Sequence, residues 1–366
     1  MDKIKVLHIG LSDHVGGMES VVHSWLPFKP EQIQFDYANP YKNPLAFEEE
    51  NRELGSQIHQ ITARSKNPIK SYFQLKKIIA EGDYDFIHHH IMSFSWPEPC
   101  LIVNRLKTKT QVILHAHTTI NRELCLKFKV LDFLGRIRLH NKKYIAVACG
   151  QKSGESMYQG NPFILVKNGI DFARYRYNRQ DRINVRKALN IDDEIVIGHV
   201  GRSCYEKNYP YLLKCFQKLA AKHSNVKLLL IGNLLHDETI QKQIDQLGIR
   251  QNVLLTGAVT NVVPYYSAMD VFFLPSVIEG ISLALLEAQA SGLPCVVSKN
   301  VPRESNISGE VDFVSIENDT EAIDALEQAI ACADQHCRTS IQLDESFKLE
   351  YSAQVMMDLY EKHKRS

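Results

Sequence analysis

The sequence predicts an α/β protein of two Rossmann-like, doubly wound parallel-sheet domains that face each other across a cleft. Three observations carry this. Short β-branched and apolar runs alternate with longer helical patterns through most of the chain, the rhythm of strands covered by crossover helices. The runs fall into two series separated by a polar stretch without a strand pattern, 171–194. A length of 366 residues with 44 % hydrophobic content supplies apolar material for two cores of ordinary size.

The first series reads IKVLHIG, DFIHHHI, QVILHAH, YIAVACG and FILVKNG, and the second IVIGHVG, VKLLLIG, VLLTG, VFFLPS and PCVVS. Each suits one sheet whose ligand crevice lies at the carboxyl ends of its strands. Between them, DFARYRYNRQDRINVRKALNIDDE is rich in Arg, Asn and Asp and holds one short helical pattern. The expected division is a first domain over 1–175, a linker over 176–190 and a second domain over 191–345. In the last stretch, 346–366, Phe347, Leu349, Tyr351, Val355, Met356 and Leu359 have helical spacing. That helix is expected to pack back on the first domain.

Lys plus Arg number 43 against 42 Asp plus Glu, a formal charge of +1, which removes the basic field that nucleic-acid binding requires. The apolar run after Lys5 is too short for a signal-peptide core, and no run approaches the ~18 apolar residues of a membrane span, so a cytoplasmic chain is expected. Eight cysteines, at 100, 125, 149, 204, 215, 295, 332 and 337, form no CxxC pair and are expected to be reduced and buried. His336 beside Cys332 and Cys337 lacks the second ligand pair of a zinc finger.

Gly16-Gly17-Met18-Glu19 precedes the helical run SVVHSWL. Two glycines at a helix mouth let backbone N–H groups approach an anion, although a Gly-Gly turn is also an ordinary structural device. Neither GxGxxG nor GxxxxGK[ST] occurs. In IVIGHVGRSCYEKNYPYLLKCF, Gly201 and Arg202 lie just past a strand and Lys207 five residues on. A guanidinium fork and an ammonium converging there suit a pyrophosphate, whereas either alone reads as solvated surface.

VFFLPS runs into VIEGISLALLEAQASGLP, with Glu279 in a turn and Glu287 on the helix that starts near Gly280 to Ser282. That helix mouth offers the N–H groups of Ile281, Ser282 and Leu283. A carboxylate this close to phosphate is repulsive unless it bonds hydroxyls, which points to a ligand with sugars on both sides of its phosphates. QVILHAHTT places His115 and His117 on one face at a strand end, as sugar contacts or as core histidines. His88-His89-His90 ends another strand and could line an acceptor side; a metal reading is set aside because adjacent strand residues point to opposite faces. From Arg122 to Lys143, basic residues interleave with Leu124, Phe128, Leu131, Leu134 and Ile137. This is either a helix that lies on an anionic membrane or one with an apolar core side and a wet basic side.

In order and spacing, Gly16-Gly17-Met18-Glu19, His117, Asn168-Gly169-Ile170-Asp171, Gly201-Arg202 with Glu206-Lys207, Glu279 with Glu287, and Gly292-Leu293-Pro294 resemble the retaining glycosyltransferases of family 4. The resemblance covers nearly the whole chain. It implies the GT-B fold and a nucleotide-sugar donor, UDP-linked in expectation, held mainly by the second domain. Arg202 and Lys207, beside Gly201, would grip the diphosphate and act as electrostatic catalysts. Glu287 would hold the ribose hydroxyls, and the main chain near Val259 the base. Glu279 and the backbone of Gly280, Ile281 and Ser282 would meet the donor sugar, with the Leu283 N–H beside them and Gly16 and Gly17 completing the donor set. His117 is preferred to His115 as the histidine at that sugar. Met18 stands where the family usually has a small residue.

By the same resemblance, the acceptor is a glycan or lipid-linked acceptor of capsule or exopolysaccharide assembly; peripheral contact with an anionic membrane is one of the two readings of the basic segment 122–143. Transfer would proceed with retention, without metal and with no cofactor beyond the nucleotide-sugar co-substrate. Two rival readings remain. A nucleotide-sugar epimerase or sugar phosphorylase also uses two facing α/β domains, but the Glu279–Glu287 spacing argues against it. A non-catalytic nucleotide-sugar-binding partner is opposed by the intact motif residues.

Overall fold

The computed structural model describes residues 3–119, 126–333, 338 and 341–364. The chain divides into two compact units, one of Met1–Gly169 with Leu349–Ser366 and one of Ile170–Lys348.

The first unit holds a seven-stranded parallel sheet of β1 (Ile4–Ile9), β2 (Ile33–Asn39), β3 (Ile58–Gln60), β4 (Phe86–Ile91), β5 (Gln111–Ala116), β6 (Ile145–Ala148) and β7 (Ile164–Leu165). Its order is β3-β2-β1-β4-β5-β6-β7. The second unit has six parallel strands, β8 (Ile195–Val200), β9 (Val226–Ile231), β10 (Val253–Gly257), β11 (Val271–Leu274), β12 (Cys295–Ser298) and β13 (Val311–Val314), in the order β10-β9-β8-β11-β12-β13. Both sheets reverse their winding once, at β1/β4 and at β8/β11, and a doubly wound sheet opens its ligand crevice at such a switch point.

Three strands escape the sequence reading. β2 carries Asp36 in its middle, which breaks the apolar run, yet Asp36 is buried and accepts bonds from the Tyr84 hydroxyl (2.9 Å) and the Gln57 N–H (2.8 Å). β3 and β13 are edge strands of three and four residues, too short for periodicity to show.

The stretch 176–190, expected as a linker, folds inside the second unit as helix Arg179–Ala188. The Asn178 side chain caps it, accepting from the Gln180 and Asp181 N–H groups. Arg182 and Arg186 both pair with Asp270, and the same carboxylate accepts the Val196 N–H at the start of β8. The arginines therefore tie the segment to the sheet. Helix Leu349–His363 belongs to the first unit, with Met356, Met357, Leu359 and Tyr360 buried there.

Cys100, Cys149, Cys215 and Cys295 are buried free thiols, while Cys332 is exposed near the end of helix Thr320–Ala333, against expectation. Cys125, His336 and Cys337 lie outside the described residues, as do Arg122 to Leu124 of the basic segment. The remainder forms helix Leu126–Leu139, in which only Gly135 and Leu139 are buried. Leu126 is 75 % exposed and Phe133 61 %, with Phe128, Val130, Leu134 and Ile137 exposed beside them. Among the described residues, only Leu139 of its apolar side chains joins the core of the first unit. The helix instead docks through polar contacts: Asp132 accepts the Phe94 N–H, and Arg136 pairs with Asp132 and donates to the Met157 carbonyl.

Candidate active site

At the switch point of the second unit, the chain leaves β8 through Gly201, whose N–H donates to Ile231 O (3.0 Å) and whose carbonyl accepts from the Tyr209 hydroxyl (2.8 Å). The neighbouring strand ends at Gly232, with φ +151°, where a Cβ would stand 1.9 Å from Gly201 O. Only glycine lets the two strand ends come this close. Arg202 follows, exposed and without a hydrogen-bond or ion-pair partner among the described residues.

Lys207 closes a short helical turn, Tyr205–Lys207, that stops at Asn208 in the left-handed region (φ 56°). Asn208 Nδ2 donates to Pro275 O (3.1 Å) and the Val277 N–H to Glu206 O (2.8 Å), so this turn is bolted to the loop after β11. Lys207 Nζ forms an ion pair with Glu279 Oε1, which also accepts from Ser276 Oγ. The pair is about 15 % exposed on each side. An ammonium has three donors, so pairing with Glu279 leaves capacity for a second acceptor.

From the same loop, helix Leu283–Ala290 starts behind Ser282, whose side chain makes no capping bond. The first N–H groups of a helix have no intrahelical acceptor, so the mouth at Gly280 to Leu283 presents donors together with the positive end of the dipole. Glu287 lies one turn in. Its Oε1 accepts the Tyr175 hydroxyl (3.0 Å) and its Oε2 the Tyr266 hydroxyl (2.6 Å). Burial raises the Glu287 pKa, and the two phenol bonds to the ionised form oppose that rise. Both tyrosines escape sequence reading, since they stand 112 and 21 residues from their partner. Val259 is half-buried against the apolar cluster that contains Tyr266.

His199, two residues before Gly201, is also new. It is fully buried, and its Nδ1 meets Phe273 O (2.8 Å), which can only accept; the ring proton is therefore on Nδ1 and Nε2 is a bare lone pair. Burial and the nearby Lys207 charge hold its pKa down to about 3.

In the first unit, Gly16 is the extended N-cap (φ −143°) of helix Gly17–Ser24, and a Cβ at Gly17 would meet nothing within 4 Å. Buried Glu19 accepts the Ser12 N–H (2.9 Å) and closes the preceding loop. His115 is fully buried, whereas His117 is half-exposed at the strand end, with Nε2 2.8 Å from His90 Nδ1. The expectation for His88-His89-His90 needs correction. His89 does point away, edge-on to Trp96, but His88 and His90 share a face with His8, His115 and His117, because neighbouring strands supply the partners that adjacent residues cannot.

The sequence over residues 181–341 matches the family described as glycosyl transferases group 1, and this span contains Gly201, Arg202, Lys207, Glu279 and Glu287. This span, less than half of the chain, resembles the group 1 glycosyl transferases. The putative glycosyltransferase EpsF of Bacillus subtilis is 29 % identical over 311 residues, 81 % of this chain and 79 % of its own length. The UDP-Gal:alpha-D-GlcNAc-diphosphoundecaprenol alpha-1,3-galactosyltransferase of Escherichia coli is 25 % identical, over 98 % of this chain and 97 % of its own. Among solved structures, HepE of Anabaena in complex with UDP and glucose superposes with a TM-score of 0.75 at 16 % identity, over 98 % of this chain and 99 % of HepE. Two Rossmann-like units of this kind are the GT-B fold of glycosyltransferases.

Proposed function

We propose that this glycosyltransferase moves a sugar from a UDP-sugar to a glycan or lipid-linked acceptor in surface-polysaccharide assembly, with retention at the anomeric carbon. The observation that carries the reading is the cation set at the β8/β11 switch point: an unpartnered Arg202 and a Lys207 with donors to spare, beside a helix mouth and two carboxylates. As the bond from C1 to the phosphate oxygen breaks, negative charge grows on the diphosphate. Arg202, Lys207 and the backbone N–H groups from Gly280 to Leu283 are placed to stabilise it. Two side-chain cations do this without metal. The acceptor oxygen bonds C1 on the face the diphosphate leaves, and its proton passes to the departing phosphate oxygen.

Glu287, oriented by Tyr175 and Tyr266, holds the ribose hydroxyls, and Val259 lies at the base. Glu279 holds Lys207 in place and bonds the donor sugar. By the family resemblance, His117 meets a hydroxyl of the transferred sugar, and Gly16 and Gly17 complete the donor set.

The exposed apolar face of helix Leu126–Leu139, flanked by Lys127, Lys129, Lys142 and Lys143, fits the surface of an anionic bilayer. No helix among the described residues is long and apolar enough to cross one. Peripheral docking at the inner face of the cell membrane suits a carrier lipid of the diphosphoundecaprenol type, the acceptor named for the Escherichia coli relative.

The test is turnover of a nucleotide-sugar panel with lipid-linked saccharide acceptors. The reading expects UDP release coupled to a new glycosidic bond. A donor isomerised without acceptor identifies an epimerase, dependence on orthophosphate a phosphorylase, and binding without turnover a non-catalytic partner.

A further inference from the structure

We propose that His90, His115 and His117 hold one divalent transition-metal ion of the zinc class within the first unit, a site that shares His117 with the glycosyl-transfer reading but does not rest on it. The residues come from strands paired in register: His8 faces His88 across β1 and β4, and His90 faces His115 across β4 and β5. With a side-chain period of two, positions 8, 88, 90, 115 and 117 collect five imidazoles on one side of the sheet. One nitrogen each from His90, His115 and His117 lies within 4.8 Å of the others. An ion bound tetrahedrally at ~2.0–2.1 Å sets nitrogens about 3.4 Å apart, so small ring rotations close the set.

The hydrogen bonds of the array do not settle by themselves. His8 Nδ1 meets His90 Nε2 (3.0 Å) and His90 Nδ1 meets His117 Nε2 (2.8 Å), while the Tyr360 hydroxyl meets His88 Nδ1 (2.5 Å) and His88 Nε2 meets His115 Nδ1 (3.0 Å). A neutral imidazole carries one ring proton, so the string from His8 to His117 runs either way and always ends in one buried N–H and one bare lone pair. His8 Nε2, His115 Nε2 and His117 Nδ1 are indeed buried without partners.

An ion fixes the direction. It takes the lone pairs of His90 Nδ1, His115 Nε2 and His117 Nε2, which turns the facing nitrogens of His90 and His117 from competitors for one proton into co-ligands. His90 then donates Nε2–H to His8, and His115 donates Nδ1–H to His88, which donates to Tyr360. Metal-bound histidines are held in this way by a partner on their second nitrogen. A second triad, His8, His88 and His90, also has converging nitrogens. We assign the ion to the outer set because His115 Nε2 is already free and half-exposed His117 gives access from the strand end. Three protein ligands leave a fourth position for water or a substrate oxygen.

The experiment uses the untagged full chain, stripped with chelator and titrated with Zn²⁺ by calorimetry and with Co²⁺ by visible absorption. One Zn²⁺ per chain is expected, with the intense ligand-field bands of a tetrahedral Co²⁺ site. His90→Gln, His115→Gln and His117→Gln should each weaken Zn²⁺ binding tenfold or more, whereas His89→Gln, on the other side of β4, should bind as wild type. If a variant does not fold, the wild-type Co²⁺ spectrum and a Zn²⁺-dependent rise in its Tm still decide. Absence of saturable binding, or unchanged affinity in the three variants, overturns the proposal. Loss in His8→Gln with none in His117→Gln overturns the assignment in favour of the inner triad.

Discussion

The Lys207–Glu279 pair makes a prediction whose two halves differ in sign. Removing the ammonium with Lys207→Ala deletes a charge-assisted bond to phosphate, worth ~1.5–3 kcal/mol, and leaves the part-buried Glu279 carboxylate facing the diphosphate. At an effective dielectric of ~20 and a separation of ~6 Å, that repulsion is about 2–3 kcal/mol before screening; about 1 kcal/mol is a fair residue after it. UDP should therefore bind on the order of 10²–10³-fold more weakly, at 1.4 kcal/mol per decade. Glu279→Gln does the reverse to the nucleotide, since the ammonium is released to the phosphate and the repulsion disappears. UDP should bind as well as to wild type or up to about tenfold more tightly, while kcat falls because the sugar contact is lost. In the Glu279→Gln background, Lys207→Ala should cost less than alone, a coupling of about 1 kcal/mol. Calorimetry with UDP on the four proteins at one ionic strength measures all of this. Equal weakening by Lys207→Ala and Glu279→Gln, or strictly additive effects, would refute the shared-charge account.

Other outcomes follow from single contacts. Gly232→Ala sets a Cβ against Gly201 O at 1.9 Å and should lower Tm by about 10 °C, whereas Gly17→Ala, with nothing within 4 Å, should leave Tm unchanged; thermal melts compare them. Glu287 must be ionised to accept from ribose hydroxyls, and its pKa is raised, so kcat/KM for the donor should fall as pH drops through a limb above the ordinary carboxylate range. Tyr266→Phe removes a bond to the ionised form and should move that limb higher still; an unmoved limb in the pH profile contradicts this. Leu126→Ser with Phe133→Ser should weaken co-sedimentation with anionic vesicles at least tenfold without lowering Tm, because both side chains are exposed. Arg136→Gln should instead lower Tm, since Arg136 is tied to Asp132 and to the Met157 carbonyl.

Local signals were readable from the sequence and distant pairings were not. Apolar runs placed ten of the strands, and Gly201, Arg202, Lys207, Glu279 and Glu287 stood out because each lies within a few residues of a strand or helix end. The pairing of Lys207 with Glu279 spans 72 residues and depends on β8 lying next to β11, which no local pattern encodes. Tyr175 sat at the end of the expected first domain, and its role is visible only once residues 170–190 are seen to belong to the second unit, with helix Arg179–Ala188 bound to its sheet. The histidines left a readable trace, alternation at 88/90 and 115/117, but recognising a cluster required the β1-β4-β5 adjacency that also brings in His8. For helix Leu126–Leu139 the interleaved pattern allowed either face to be buried, and its contacts through Asp132, Gly135 and Arg136 decided for neither apolar edge.

The most direct test of the central claim follows the anomeric carbon of the transferred sugar. A UDP-α-sugar is incubated with a lipid-linked saccharide acceptor and either wild type or Arg202→Ala, and the product linkage is read by NMR while UDP release is followed in parallel. The account predicts an α-linked product from wild type, stoichiometric with UDP, and a rate reduced on the order of 10² or more in Arg202→Ala. A β-linked product, or an Arg202→Ala variant that turns over at the wild-type rate, would contradict it.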